Sequence, residues 1–127
     1  MHIIETTTKT VEQACADLEK AVGKHQFGVL HVHDLKATMN NKGVAFENEC
    51  RIFEVCNPHK AAAVLSSGMR FNTMLPCRIS IWEEDGAVKI GALAPTDLLA
   101  MSEAPEAMLP VAREVEQTIR AIIEEAK

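Results

Sequence analysis

Apolar positions along this chain switch between two periods. Val11, Ala14, Cys15, Leu18, Ala21 and Val22 recur at helical spacing and form one stripe. Thr10 precedes them and Gln13 stands three residues on, the spacing of a capping box. Gly23 is the natural terminator of that helix. Ile3 and Ile4 begin a short strand ahead of it, which ends in Thr6, Thr7 and Thr8. Residues 27–33 read as a second strand. Asp34 caps a short helical turn over 35–40, and Asn40, Asn41, Lys42 and Gly43 form a turn. Residues 49–55, rich in Ile, Phe and Val, make a third strand. Asn57 as N-cap and Pro58 as first helical residue start another helix, which carries Ala61 to Leu65 and stops at Ser66, Ser67 and Gly68.

A loop then leads to Pro76 and a strand over 77–83. Asp85 and Gly86 are a hairpin signal, and residues 87–93 return antiparallel. Pro95, Thr96 and Asp97 open a short helix over 98–101. The last helix is expected over about 106–125. Val111, Val115, Thr118, Ile119, Ile122 and Ile123 lie on its apolar face, and its regular part starts near Pro110. The order β-α-β-(α)-β-α-β-β-α mixes helices with hairpin-linked strands, so the fold class is α+β. The expected architecture is a curved, antiparallel-rich sheet whose apolar face is covered by the first and last helices.

Composition narrows the class. With 127 residues, 47% hydrophobic and 24% charged, the chain reads as one globular domain, residues 1–127. No apolar run approaches the ~20 residues of a spanning helix. The N-terminus lacks a basic segment followed by an apolar one, so a cytoplasmic protein with reduced cysteines is expected. The net charge of −5, four Phe, one Trp and no Tyr leave no basic, aromatic surface for nucleic acid.

Candidate chemistry concentrates at two cysteines. Cys56 ends the third strand just before a helix start, and Cys77 opens the fourth strand after Pro76. If those strands are antiparallel neighbours, the two thiols sit at the same end of the sheet. A helix N-terminus favours thiolate at Cys56. Asn57, Arg78 and the N–H groups of the first helical turn could hold an anion. Three readings stay open for the pair: packing, a thiol nucleophile or reversible dithiol, and a ligand or metal contact. The spacing is not CxxC, so neither the zinc nor the thioredoxin signature applies. Cys15 belongs to the first helix's core stripe, and the side taken by Cys50 is ambiguous. His31 and His33, two apart on a strand, project to one face and could chelate a transition metal with His59 or Met39 as a third ligand. The other reading of these histidines is the polar side of a half-buried strand. The scattered methionines read as core filler. Nucleophile-elbow, P-loop and dinucleotide-binding templates are missing, so no complete catalytic set is indicated, and the sequence leaves any cofactor unknown.

Four segments together resemble a known family: Phe27-Gly28-Val29-Leu30, Asp34-Leu35-Lys36-Ala37-Thr38, Cys56-Asn57-Pro58 followed by alanines, and Leu75-Pro76-Cys77-Arg78. The pattern is similar to the bacterial and archaeal family of domains of unknown function numbered 302, over residues 27–99. The resemblance implies a compact α+β domain in a TATA-binding-protein-like arrangement, commonly a homodimer, and implies no activity. It carries Cys56, Asn57, Pro58, Leu75, Pro76 and Cys77; His31, His33 and His59 lie outside it. The expected function is a non-catalytic module binding a small molecule, an anion or a partner protein at Cys56, Asn57, His59, Cys77 and Arg78. The alternatives are thiol redox or sulfur handling by Cys56 and Cys77, and metal binding by His31 and His33.

Overall fold

The computed structural model describes residues 1–127. Its elements are β1 (His2–Thr7), α1 (Val11–Lys24), β2 (Gly28–Asp34), α2 (Leu35–Asn41), β3 (Cys50–Cys56), α3 (Pro58–Ser67), β4 (Cys77–Glu84), β5 (Ala87–Leu93), α4 (Pro95–Met101) and α5 (Leu109–Ala126). Two 3-10 segments, Met69–Met74 and Glu106–Met108, complete the chain.

Local chemistry explains most boundaries. The Thr10 hydroxyl accepts from the Gln13 N–H at 3.1 Å, and Asp34 accepts from the Ala37 N–H at 3.0 Å, so both side chains cap as their types dictate. Pro110 lies in the first turn of α5, where a missing N–H costs nothing. The turn at Asp85 and Gly86 has φ of 53° and 76°, the positive values that a two-residue hairpin of matching twist requires. Gly23 does not terminate α1. The helix continues to Lys24, and Gln26 makes the turn with φ of 64°. The expected loop before β4 is also partly ordered, as the 3-10 segment Met69–Met74.

All strand pairs are antiparallel, in the order β1-β5-β4-β3-β2. Ile3 of β1, Phe53 and Val55 of β3, Ile79 and Ile81 of β4, and Ile90 of β5 are buried on one face. Leu18, Val22, Ile119 and Ile122 from α1 and α5 pack with them in the main core. The fold is therefore α+β, an antiparallel sheet backed by its first and last helices. A smaller core of Phe71, Leu99 and Met108, joined by Val64, Met74 and Leu109, gathers the 3-10 segments, α3, α4 and the start of α5. No helix is long and apolar enough to cross a membrane.

Candidate functional site

The second face of the sheet is built from the alternate residues. Register places Ile4 opposite Gly91, Gly91 opposite Ser80, Ser80 opposite Ile52, and Ile52 opposite His33. A second row runs Arg78, Glu54, His31. This face is thus apolar toward β1 and β5 and polar toward β2. A cavity of about 600 Å³ extends from this apolar part to the margin of the main core, where Phe27, Val55, Cys77, Val115 and Ile119 also line it. Ile4, Ile52, Trp82 and Leu93 contribute to the wall from the sheet, and α3, α4 and α5 contribute Val64, Leu98 and Val111. Of the 29 lining residues 20 are hydrophobic, the character of a small-molecule site rather than of a solvated surface. Cys56, Asn57, Cys77 and Arg78 all line it, whereas His59, His31 and His33 do not.

The two cysteines lie on neighbouring strands, as expected: Val55 is the register partner of Cys77 and Cys56 follows it. Strand alternation starts Cys56 on the face opposite Cys77, so the pair straddles the sheet end. Both thiols are free. Burial, with a smaller contribution from the Cys56 charge, pushes the Cys77 thiol up to about 11. Cys77 therefore holds its proton at neutral pH more firmly than an ordinary thiol, which slows its reaction as a nucleophile. Relative to the ordinary value of 9.0, its thiolate is about a hundredfold scarcer. Iodoacetamide labelling followed by mass spectrometry is expected to leave Cys77 unmodified in native protein at pH 7.5 and to modify it after denaturation. Labelling of native Cys77 at the rate of a free thiol contradicts this burial.

Asn57 has a complete structural employment. Its Oδ1 accepts from the His59 N–H at 3.0 Å and the Lys60 N–H at 3.1 Å. Its Nδ2 donates to the Gln26 carbonyl at 3.2 Å, tying α3 to the entry of β2. Pro58 has no N–H, and the Ala61 N–H donates to the Asn57 carbonyl at 3.0 Å. The backbone N–H groups of His59, Lys60 and Ala61 in that turn all have partners already. Of the residues expected to hold an anion, Arg78 alone keeps an unoccupied charge.

His31 and His33 do project together, with ring centroids 4.4 Å apart. His33 Nε2 meets Glu54 Oε1 at 2.6 Å. That hydrogen bond holds the Glu54 carboxyl below its ordinary value, with the charges of Arg78 and His31 acting the same way. No group of three or more His, Cys, Asp or Glu side chains is placed to hold a metal ion. His59 sits at the start of α3, beyond the Cys56 end of β3, and His33 is level with Ile52. Met39 lies on α2. Cys50 takes the parity of Ile52, and Cys15 packs at the margin of the main core.

Trp82, Ile4, Leu93 and the walls from α4 and α5 were not among the residues the sequence singled out. A signal did exist. Trp82 alternates with the core residues Ile79 and Ile81, so it stands on the face read as polar. Gly91, inside a strand, marks a close approach.

Comparison with known proteins gives one family and no activity. A family model described as "Domain of unknown function DUF302" matches residues 3–126, which extends the similarity from 27–99 to β1, α1 and α5. A solved structure, that of an uncharacterized conserved DUF302 protein from Bacillus stearothermophilus, superposes with a TM-score of 0.94 at 28% identity. The match covers 99% of this chain and 98% of that one. No curated protein matches the chain.

Proposed function

Because the chain belongs to the DUF302 family, whose description names no activity, we propose its function from its cavity: it is a binding module for a small, largely apolar molecule. The supporting observation is a partly open, mostly apolar cavity. A volume of about 600 Å³ lies within the range of ligand sites, and its walls are apolar with few polar groups. Catalysis finds no comparable support: Cys77 is protonated, Asn57 is a helix cap, and the His33–Glu54 pair lies outside the cavity.

Nile red, a neutral apolar dye, is the first probe. Its emission is expected to rise and shift to the blue on titration with the protein, with saturation at one equivalent. Ala61 lines the cavity from α3 and is only half-buried, so Ala61→Phe adds a ring where there is space. The variant is expected to keep the circular dichroism of the parent and to lose at least tenfold in dye affinity. Absence of saturable binding, or unchanged binding by Ala61→Phe, removes this reading.

A thiol-dependent role centred on Cys56 is the second reading. Its supporting observation is that Cys56 lines the same cavity and precedes the capped start of α3. In that role Cys56 would meet the bound molecule without Cys77 as a resolving partner.

A further inference from the structure

The charge on the cavity wall does not follow the charge of the protein. The chain carries 18 acidic residues against 13 Lys and Arg, yet no Asp or Glu lines the cavity. Its charged and titratable nitrogen groups are Lys60, Arg78 and His2. An apolar site for a neutral ligand gains nothing from excluding every carboxylate while admitting two cations. Such a wall raises the local potential at the mouth of the cavity.

The two cations are not equivalent. Lys60 Nζ is paired with Glu114 Oε1 at 2.6 Å, so its charge is already balanced. Arg78 makes no ion pair. Its cross-strand neighbour Glu54 gives its carboxylate to His33 at 2.6 Å and reaches Arg78 only through its longer-range field. Beside Arg78 on the same strand come Ser80 and then Trp82, both of which line the cavity. An exposed guanidinium at the polar end of a partly open apolar cavity matches a head and a body of different chemistry.

We infer that the ligand is an amphipathic monocarboxylate, an aliphatic or aromatic acid, whose carboxylate is held by Arg78 and whose apolar body fills the cavity beneath Trp82. This rests on the small-molecule reading above. One unbalanced guanidinium offsets one negative charge, which favours a carboxylate over a dianionic phosphate. The planar fork of Arg also accepts both carboxylate oxygens at once. Lys60 adds nothing further while Glu114 holds it.

Trp82 is the only tryptophan and lines the site, so its emission reports occupancy directly. The test titrates the protein with decanoate, 1-decanol and acetate, below the micellar concentration of decanoate. Decanoate is expected to bind at least tenfold more tightly than decanol, and acetate not measurably. Across octanoate, nonanoate and decanoate, affinity is expected to rise about fourfold per methylene buried. Arg78 is exposed, so Arg78→Gln leaves the core untouched and is expected to bring the decanoate-to-decanol ratio close to one. Glu54→Gln removes the nearest opposing carboxylate and is expected to raise that ratio. Equal affinities for decanoate and decanol in the unmodified protein overturn the carboxylate and leave the small-molecule reading standing. Failure of both, together with Nile red, overturns the small-molecule reading itself. Acetate binding as tightly as decanoate, or an Arg78→Gln ratio unchanged from the parent, also overturns the inference.

Discussion

Phe71→Ala is expected to cost about 3–5 kcal/mol, more than any other single change considered for this chain. The ring is 2% exposed and belongs to the smaller core, with Leu99 and Met108. That core joins a 3-10 segment to α3, α4 and the start of α5, and no backbone ladder links these pieces. Side-chain packing is therefore what holds them together. Gly68 packs on the same ring, because a Cβ there would come within 3.1 Å of it. The Arg70 guanidinium lies over the other part of the contact, 4.5 Å from the ring centroid, and contributes about 0.5–1 kcal/mol more. Removing the ring leaves a void that Val64 and Met74, held on separate elements, fill only in part. The midpoint of thermal unfolding is expected to fall by about 10 °C or more. Phe71→Leu, which keeps most of the volume, is expected to lose less than half as much. Because Leu99 and Met108 of this cluster line the cavity and pack on Phe71, Nile red affinity is expected to fall with stability. A loss below about 1 kcal/mol contradicts a packed second core.

Much of the architecture was legible because period and punctuation agree in this chain. The stripe from Val11 to Val22 and the capping residues Thr10, Asp34 and Asn57 each act locally, and each behaves as its chemistry dictates. The hairpin at Asp85 and Gly86 fixed the pairing of β4 with β5 for the same reason. Gly23 misled because a glycine ends a helix only where the chain needs to turn. Here His25 still donates its N–H to Ala21, and the turn falls at Gln26. The segment Met69–Met74 gave no periodic signal. It is ordered by Phe71 reaching residues nearly 30 and 40 positions away, Leu99 and Met108, and no window of sequence contains that contact.

The candidate site was legible only at its rim. Cys56, Asn57, Cys77 and Arg78 stand at turn-marked strand ends, where residue type is conspicuous, and all four line the cavity. Its walls come from apolar residues on strands and helices that already have a core to serve. Helix α5 illustrates the difficulty. Ile122 and Ile123 serve the main core alone, whereas Val115 and Ile119 in that core, and Val111 packed against it, also line the cavity. One amphipathic stripe thus serves two environments, and helical period cannot divide it. The conspicuous histidine pair shows the converse. His31 and His33 share a face as strand geometry demands, yet the nearest carboxylate, Glu54, satisfies His33 and closes it to other work.

Gly91→Val is expected to destabilise the protein and to disturb the cavity wall in one step. Gly91 is buried within β5, between Ile4 on the edge strand and Ser80 on β4. A Cβ at this position would lie 2.8 Å from the Ile3 carbonyl oxygen, 3.0 Å from Ile4 Cγ1 and 3.0 Å from Trp82 Cη2. The two side chains could rotate away. The carbonyl cannot move without loosening the ladder that holds β1 to the sheet. Against this stands the conformational freedom that glycine loses on folding, worth about 0.5–1 kcal/mol in favour of a larger residue. A backbone contact at 2.8 Å outweighs that gain, so even Gly91→Ala is expected to be net destabilising. For valine, overpacking is expected to cost about 1–3 kcal/mol, with further loss if β1 detaches. Gly28→Ala is the control. Its Cβ would meet only the Cys56 carbonyl, at 4.0 Å, so it is expected to be neutral or slightly stabilising. Urea unfolding of the three variants separates the cases. Trp82 emission in the folded baseline is expected to shift for both Gly91 variants and to stay fixed for Gly28→Ala. If Gly91→Ala is as stable as Gly28→Ala and its Trp82 emission is unchanged, the indole does not lie across Gly91. The wall that Trp82 gives the cavity would then be placed wrongly.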